Sequence, residues 1–183
     1  METDVQVIKA TSGLLDSKIK LVNKLKGRYY YFFRHFFDVV QTEPFQYNFH
    51  IEYICDELEK VMRRVMREYS TDNDGNVIIT KEREEKEYDL IINIPIASTK
   101  SMMVSQLLNA WVWVNDPSII FICGSGHHSL SEKNASKARD LITSPEFIDL
   151  FGHDAIELRH DRNKVMDFEN TDGGRRISLS IGS

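Results

Sequence analysis

The sequence predicts an α/β fold: a mostly parallel sheet flanked by helices, with a helical segment in front of it. Two apolar runs without polar alternation, at residues 89–94 and 119–123, are typical of central strands that are covered on both faces. A segment with helical periodicity follows each run. Strands and helices that alternate in this way favour parallel strands joined by helical crossovers.

The N-terminal half is predicted to be largely helical. Residues 14–40 read as one helix whose second part is dense in aromatic side chains, and we expect these to pack on the body of the protein. Pro44 ends this region, and residues 49–69 carry the clearest amphipathic stripe of the chain. The segments that follow are a turn at 71–76, a short strand at 77–80 and a charged run at 81–87.

The second half contains the predicted sheet. The strand at 89–94 leads into a helix at 100–114, and the strand at 119–123 leads into a helix that ends near residue 142. The remaining elements are a short helix at 146–151 and strands at 155–160, 165–168 and 176–181, with a hairpin turn at 172–174.

Size and charge restrict the classes of function. The 183 residues fit one domain, or one domain with an appendage. The formal net charge of −5 excludes a global field that would draw the protein onto nucleic acid. A basic patch at residues 18–28 is interpreted as a solvated helix face, although it stays compatible with local DNA contact. Cys55 and Cys123 predict buried free thiols in a reducing compartment. Because no apolar run reaches membrane-spanning length, we expect a soluble, intracellular protein.

A phosphate-binding loop is predicted where the first strand meets its helix, at Pro95-Ile-Ala-Ser-Thr-Lys-Ser101. Main-chain N–H groups at a helix N-terminus bind anions, a lysine reaches the β- and γ-phosphates, and a serine hydroxyl ligates Mg²⁺. The pattern G-x-x-x-x-G-K-[ST] places glycine at positions 94 and 99, which here are Ile94 and Thr99. A threonine there must keep a negative φ or be strained. By itself, the pattern is also compatible with an ordinary strand–loop–helix junction.

Four separated segments carry a family resemblance. They are residues 44–58, 90–101, 129–147 and 170–182, and the third includes Arg139-Asp-Leu-Ile-Thr-Ser-Pro-Glu-Phe147. In this order they resemble the ATPase domain of the large terminase subunit of tailed bacteriophages, the motor that packages viral DNA. The resemblance implies a P-loop NTPase-type (ASCE, RecA-like) sheet. It also implies a division into an N-terminal helical segment, residues 1–43, and an ATPase domain, residues 44–183.

The resemblance implies ATP and Mg²⁺ as ligands and assigns the residues that would bind them. Lys100 would stabilise charge on the γ-phosphate, and Ser101 would hold the magnesium ion. Phe45 and Gln46 stand where the family contacts the adenine base. The phosphate loop itself would comprise Pro95, Ile96, Ala97, Ser98, Thr99, Lys100, Ser101 and Met102.

Arg139, on the helix after the second strand, has two open interpretations. It is either an arginine that serves the nucleotide of a neighbouring subunit or an ordinary helix-surface residue. Many terminases carry an arginine inside the phosphate loop, and this chain has Ile96 and Ala97 at those positions. That absence makes an arginine supplied from elsewhere more necessary.

The acidic pair of the family, an Asp that holds magnesium and a Glu that activates water, would follow residue 183. We therefore expect an incomplete domain, a front portion of the ATPase that is weakly active or inactive alone. The leading hypothesis is the ATP-binding part of a motor that translocates double-stranded DNA into the procapsid. The alternative is a non-catalytic terminase-like fragment that binds nucleotide or partner subunits and regulates assembly.

The implied partners are double-stranded DNA, the portal protein and the small terminase subunit, and no membrane. The full-length protein would form a homo-oligomeric ring. The expected location is the host cytoplasm, without retention in the mature virion.

Overall fold

The computed structural model of the protein describes residues 2–95 and 99–181. Three helices come first, α1 (Glu2–Gly27), α2 (Tyr29–Val40) and α3 (Phe49–Val65). The single helix expected over 14–40 is thus two helices, because Arg28 between them has an extended backbone with φ −148° and ψ 124°.

A β-hairpin follows α3 and shortens it relative to expectation. The strand β1 (Glu68–Thr71) pairs antiparallel with β2 (Val77–Lys81), so residues 68 and 69 belong to a strand and not to the helix. The turn predicted at 71–76 is confirmed: the Asp72 carboxylate accepts hydrogen bonds from the main-chain N–H groups of Asp74 (2.9 Å) and Asn76 (2.8 Å).

The second half adds helices on one side of a four-stranded sheet. Residues 100–113 are helical throughout, with a π-helical stretch (Met102–Leu107) that passes into α4 (Leu108–Trp113). The later elements are β3 (Ile120–Ser125), α5 (His128–Ile142), α6 (Pro145–Phe151), β4 (Leu158–Lys164), β5 (Asp167–Asn170) and β6 (Arg175–Ser180). In the part of the chain that the structure describes, no helix has the length and apolar character needed to cross a membrane.

The strand order in this sheet is β3-β6-β5-β4. Only β3 and β6 run parallel, and the β5–β6 and β4–β5 pairs are antiparallel. The α/β class is therefore confirmed, while the expectation of a mostly parallel sheet is wrong. The reason is connection length: β4, β5 and β6 are joined by short turns, which allow antiparallel pairing alone. A long connection, with α5, α6, β4 and β5, separates β3 from β6 and allows the parallel pair.

The predicted first core strand is also wrong. Residues 89–95 have no regular secondary structure. Leu90, Ile92 and Ile94 are partly buried against the core, and Ile91 between them is 81% exposed, an alternation typical of extended chain. An apolar run predicts burial, but a strand also needs a neighbour to complete its hydrogen bonds, and that neighbour is a tertiary property.

Aromatic side chains of α2 fix the position of the helical segment 100–113. The Tyr29 ring lies 5.2 Å from the Trp111 ring, and its hydroxyl donates a hydrogen bond to the carbonyl of Met103. The Trp111 indole N–H donates to the carbonyl of Leu25 (3.2 Å). Burial of such rings supplies both area and directional contacts. The expectation that the aromatic helix packs on the body of the protein is confirmed.

Asp116, in the turn after α4, holds the β1–β2 region against the body. The carboxylate is fully buried and accepts hydrogen bonds from the Arg67 main-chain N–H (2.9 Å) and the Tyr69 hydroxyl (3.2 Å). The Ser118 hydroxyl (2.6 Å) and the Arg83 guanidinium (3.2 Å) also donate to it. A buried carboxylate with its hydrogen bonds satisfied therefore fixes the hairpin and the charged run that follows it.

Candidate functional site

An open cleft of about 960 Å³ lies between the loop after α2, the start of α3, the beginning of the helical segment 100–113 and one face of α5. This volume is typical of small-molecule sites. Three lysines line it, Lys100, Lys133 and Lys137, and among the described lining residues one carboxylate, Glu43, faces them. The charge balance favours an anionic ligand.

The predicted phosphate segment forms one end of the cleft. Pro95, Thr99, Lys100, Ser101 and Met102 line it. The first turn of the helix is closed by a hydrogen bond from the Met103 N–H to the Thr99 carbonyl (3.0 Å), so Lys100 and Ser101 lie at the helix N-terminus, where main-chain N–H groups favour an anion. The remaining predicted loop residues, Ile96, Ala97 and Ser98, lie outside the described residues.

Thr99 adopts the left-handed conformation that the phosphate-loop pattern assigns to glycine. Its φ is +62°, and it has the only positive φ of a non-glycine residue within the described chain. A β-branched residue is strained there, because its Cβ crowds the neighbouring peptide groups. Of the two expectations for Thr99, a negative φ or strain, the structure therefore shows the second.

The loop predicted to contact the base lies far from the phosphate segment in sequence but lines the same cleft. Gln46 is exposed and lines the cleft. Phe45 does not line it: the ring packs against Phe37 (centroids 5.1 Å apart) and lies under the Arg34 guanidinium (4.3 Å). Phe45 thus anchors the loop in the core, and Gln46 is the member of the predicted pair that is presented to a ligand.

Sequence reasoning missed Tyr47, whose ring also lines the cleft and is 64% exposed. An exposed aromatic face beside an anion site is suited to stacking on a base. Its position in the same loop, directly after Phe45-Gln46, was the available signal.

One face of α5 forms the other wall and carries two lysines that sequence reasoning did not single out. The Lys137 ammonium donates to the Val40 carbonyl (3.0 Å) and the Gln41 side-chain oxygen (3.2 Å). Burial and the neighbouring charge of Lys133 lower the pKa of Lys137. Among the described residues, Lys133 has no hydrogen-bond or ion-pair partner, and neither does Lys100.

Arg139, the predicted residue on this helix, does not line the cleft. It lies two residues beyond Lys137, which in an α-helix rotates a side chain by roughly 200°. The arginine therefore faces away from the cleft of its own chain. Its proposed role toward a neighbouring subunit stays a prediction.

The floor of the cleft contains a buried amide pair. Gln106 is 6% exposed, and its side-chain N–H donates to the Asn134 oxygen (2.7 Å). The other atom of that amide, Gln106 Oε1, has no hydrogen-bond partner within the described chain, and the same holds for His50 Nε2, which also lines the cleft. Buried polar atoms are normally paired, so these two mark where a ligand or ordered water would bind.

A metal ion at this site would depend on Ser101. Within residues 2–95 and 99–181, no group of three His, Cys, Asp or Glu side chains could hold a metal ion by itself. A serine hydroxyl can join phosphate oxygens and water around Mg²⁺, because this ion keeps part of its hydration shell. The residues present therefore fit a magnesium ion that arrives with a phosphate ligand.

The three lysines of the cleft suit an anionic ligand, and Gln46 offers a polar contact to a flat group. Compared with protein-family models, with curated proteins and with solved structures, the chain shows no match.

Proposed function

We propose that this cleft binds ATP with Mg²⁺ and that the chain is the ATP-binding part of a viral DNA-packaging motor of the large-terminase type. One observation carries the proposal. Two segments far apart in sequence, Pro95–Met102 and the loop with Gln46, were predicted as phosphate and base sites, and residues of both line one cleft. A chance strand–loop–helix junction gives no reason for that convergence.

The electrostatics support a triphosphate. Lys100 is exposed at a helix N-terminus and has no partner among the described residues, so its charge is available to a ligand. Lys133 and Lys137 add positive charge on the opposite wall. In the proposed complex, Lys100 holds the terminal phosphates, Ser101 contributes its hydroxyl to the magnesium ion, and Gln46 with Tyr47 recognises the base.

The assignment of the fold to the P-loop NTPase type is part of the same proposal. A P-loop NTPase-type core needs parallel strands near the phosphate loop, and the parallel β3–β6 pair, with α5 directly after β3, supports it. The proposed partners follow the resemblance: double-stranded DNA, the portal protein, the small terminase subunit and further copies of the chain in a ring.

A second candidate function is a non-catalytic terminase-like subunit that binds nucleotide and regulates assembly. It is favoured by the shortage of carboxylates: of the described residues that line the cleft, Glu43 alone carries one, and it lies on the loop that leads to Gln46. In the terminase-type reaction that the resemblance implies, a carboxylate activates water next to the γ-phosphate. Steady-state phosphate release separates the two candidates.

Replacement of Lys100 by alanine tests the site. We expect the affinity for ATP with Mg²⁺ to fall on the order of a hundredfold, because charge-assisted hydrogen bonds to the terminal phosphates are lost. Isothermal titration calorimetry measures the change.

Lys20→Ala is the matched control, since Lys20 is an exposed lysine on α1, outside the cleft. It should bind ATP as the unmodified chain does. Equal affinity of the Lys100→Ala variant and the unmodified chain would contradict the proposed site.

A further inference from the structure

Lys133 on α5 is the cation best placed to complete the proposed phosphate site. The phosphate loop has no arginine of its own at positions 96 and 97. Lys133 lines the cleft on the wall that faces Lys100, with no hydrogen-bond or ion-pair partner in the described chain. We propose that Lys133 binds the terminal phosphate of the nucleotide and makes the site selective for a triphosphate, an inference that rests on the proposed function.

The position of Lys133 follows from the contacts of its neighbours. Asn134 accepts a hydrogen bond from Gln106 (2.7 Å), and Gln106 belongs to the helical segment that begins with Lys100. This bond holds the Lys133 region of α5 against that segment. The N-terminal part of α5 is also fixed to the sheet, because the Ser131 hydroxyl donates to the Leu179 carbonyl (2.6 Å).

The two α5 lysines lie at different distances from the base loop. Lys137 contacts Val40 and Gln41, at the end of α2 and the beginning of the loop that carries Gln46. Lys133 is four residues, or about 6 Å, nearer the N-terminus of α5, which follows the carboxyl end of β3. Ligand phosphates in α/β folds bind at the carboxyl ends of strands, so Lys133 is the lysine on the phosphate side.

A second observation points independently to a ligand at this place. Gln106 is buried to more than nine-tenths and lines the cleft, and its Oε1 has no partner among the described residues. An acceptor in that position is satisfied by a donor that enters the cleft, such as a water molecule next to the terminal phosphate. The charge of Lys133 and this acceptor together define a pocket for a hydrated phosphate.

The decisive experiment compares the affinities of ATP, ADP and AMP, each with Mg²⁺, for the unmodified chain, Lys133→Ala and Lys133→Arg. We expect Lys133→Ala to weaken ATP about tenfold, ADP less than about threefold and AMP not at all. Lys133→Arg should restore most of the ATP affinity, because the cation is retained. Lys20→Ala is the charge-matched control, and circular dichroism verifies that each variant is folded.

The outcomes separate this inference from the proposed function. If Lys100→Ala loses ATP while Lys133→Ala keeps it, the ATP site stands and the role of Lys133 is wrong. An equal loss of ATP, ADP and AMP in Lys133→Ala also overturns the role, since it shows no contact specific to the terminal phosphate. If the unmodified chain binds no ATP, both proposals fail.

Discussion

The cleft lysines and the carboxylate of Asp116 differ in whether the protein itself supplies partners for their charge. Asp116 is fully buried, and four neighbouring residues donate hydrogen bonds to its carboxylate. Lys100 and Lys133 line an open cleft and have no partner among the described residues. The charge of Asp116 is neutralised by contacts within the protein, whereas the charges of the two lysines are available to a ligand.

The difference separates a structural from a functional use of ionisable groups. A buried charge without partners is costly, so a satisfied one such as Asp116 reports what the fold requires. An exposed charge without partners contributes little to stability. When several charges of the same sign line a cleft, the arrangement does not stabilise the fold, and ligand binding explains it better.

The largest expected effect is the loss of the buried carboxylate. Asp116→Ala should lower the free energy of unfolding by about 3 kcal/mol, because the Arg67 amide, the Tyr69 hydroxyl and the Arg83 guanidinium lose their acceptor. Urea denaturation measures it. Lys133→Ala is the contrast and should change stability by less than about 0.5 kcal/mol. Comparable losses in both variants would break the distinction between the two clusters.

The free energy of unfolding should depend on pH through the Asp116 carboxylate. Burial alone would raise the pKa of Asp116, but hydrogen bonds from the Arg67 amide and the Ser118 hydroxyl outweigh it and hold the pKa below the ordinary value of 3.8. A depressed pKa in the folded state contributes stability that is present above pH 3.8 and is lost as the pH falls through the folded-state pKa.

Asp116→Asn should remove this contribution, since the amide does not titrate. Its free energy of unfolding should start lower at pH 7 and fall less between pH 4 and pH 2.5 than that of the unmodified chain. Urea titrations at these pH values make the comparison. Parallel acid curves for the two proteins would show that other carboxylates dominate.

The smallest expected effect concerns the strained residue at the start of the cleft helix. Thr99→Gly should raise the free energy of unfolding by about 0.5 to 1 kcal/mol, because glycine adopts a φ of +62° without strain, partly offset by its greater freedom in the unfolded chain. Thr99→Ala keeps the Cβ and should show no such gain. Thermal denaturation distinguishes the three proteins, and a destabilised glycine variant would mean that the threonine side chain is needed.

Local patterns predicted the helices best. The short helix expected at 146–151 is confirmed as α6, which Ser144 caps by accepting a hydrogen bond from the Phe147 N–H (3.2 Å). The hairpin turn with Gly173 at φ +85° is confirmed as well. A strand is confirmed for the run at 119–123, but its expected place at the centre of the sheet is wrong: β3 is an edge strand on which Ile120 and Ile122 are exposed. These signals depend on residues close in sequence, so a single chain suffices to read them.

Non-local features were predicted less well. The apolar run at 89–94 predicts a central strand, yet strand pairing depends on which segments meet in space. The cleft residues show the same limit. Lys133 and Lys137 look like ordinary lysines of a helix surface, and only the packing of α5 against the segment 100–113 shows that they face Lys100 across a cleft.

The sequence alone determined the α/β class, the positions of most helices and turns, and the Lys100-Ser101 pair as a candidate site, because periodicity, capping and turn chemistry act within a few residues. The tertiary structure decided the mixed direction of the sheet, the left-handed backbone at Thr99, the burial of Asp116 and the partners of the cleft lysines. Each of these depends on contacts between segments distant in sequence, whose free energies no local pattern records.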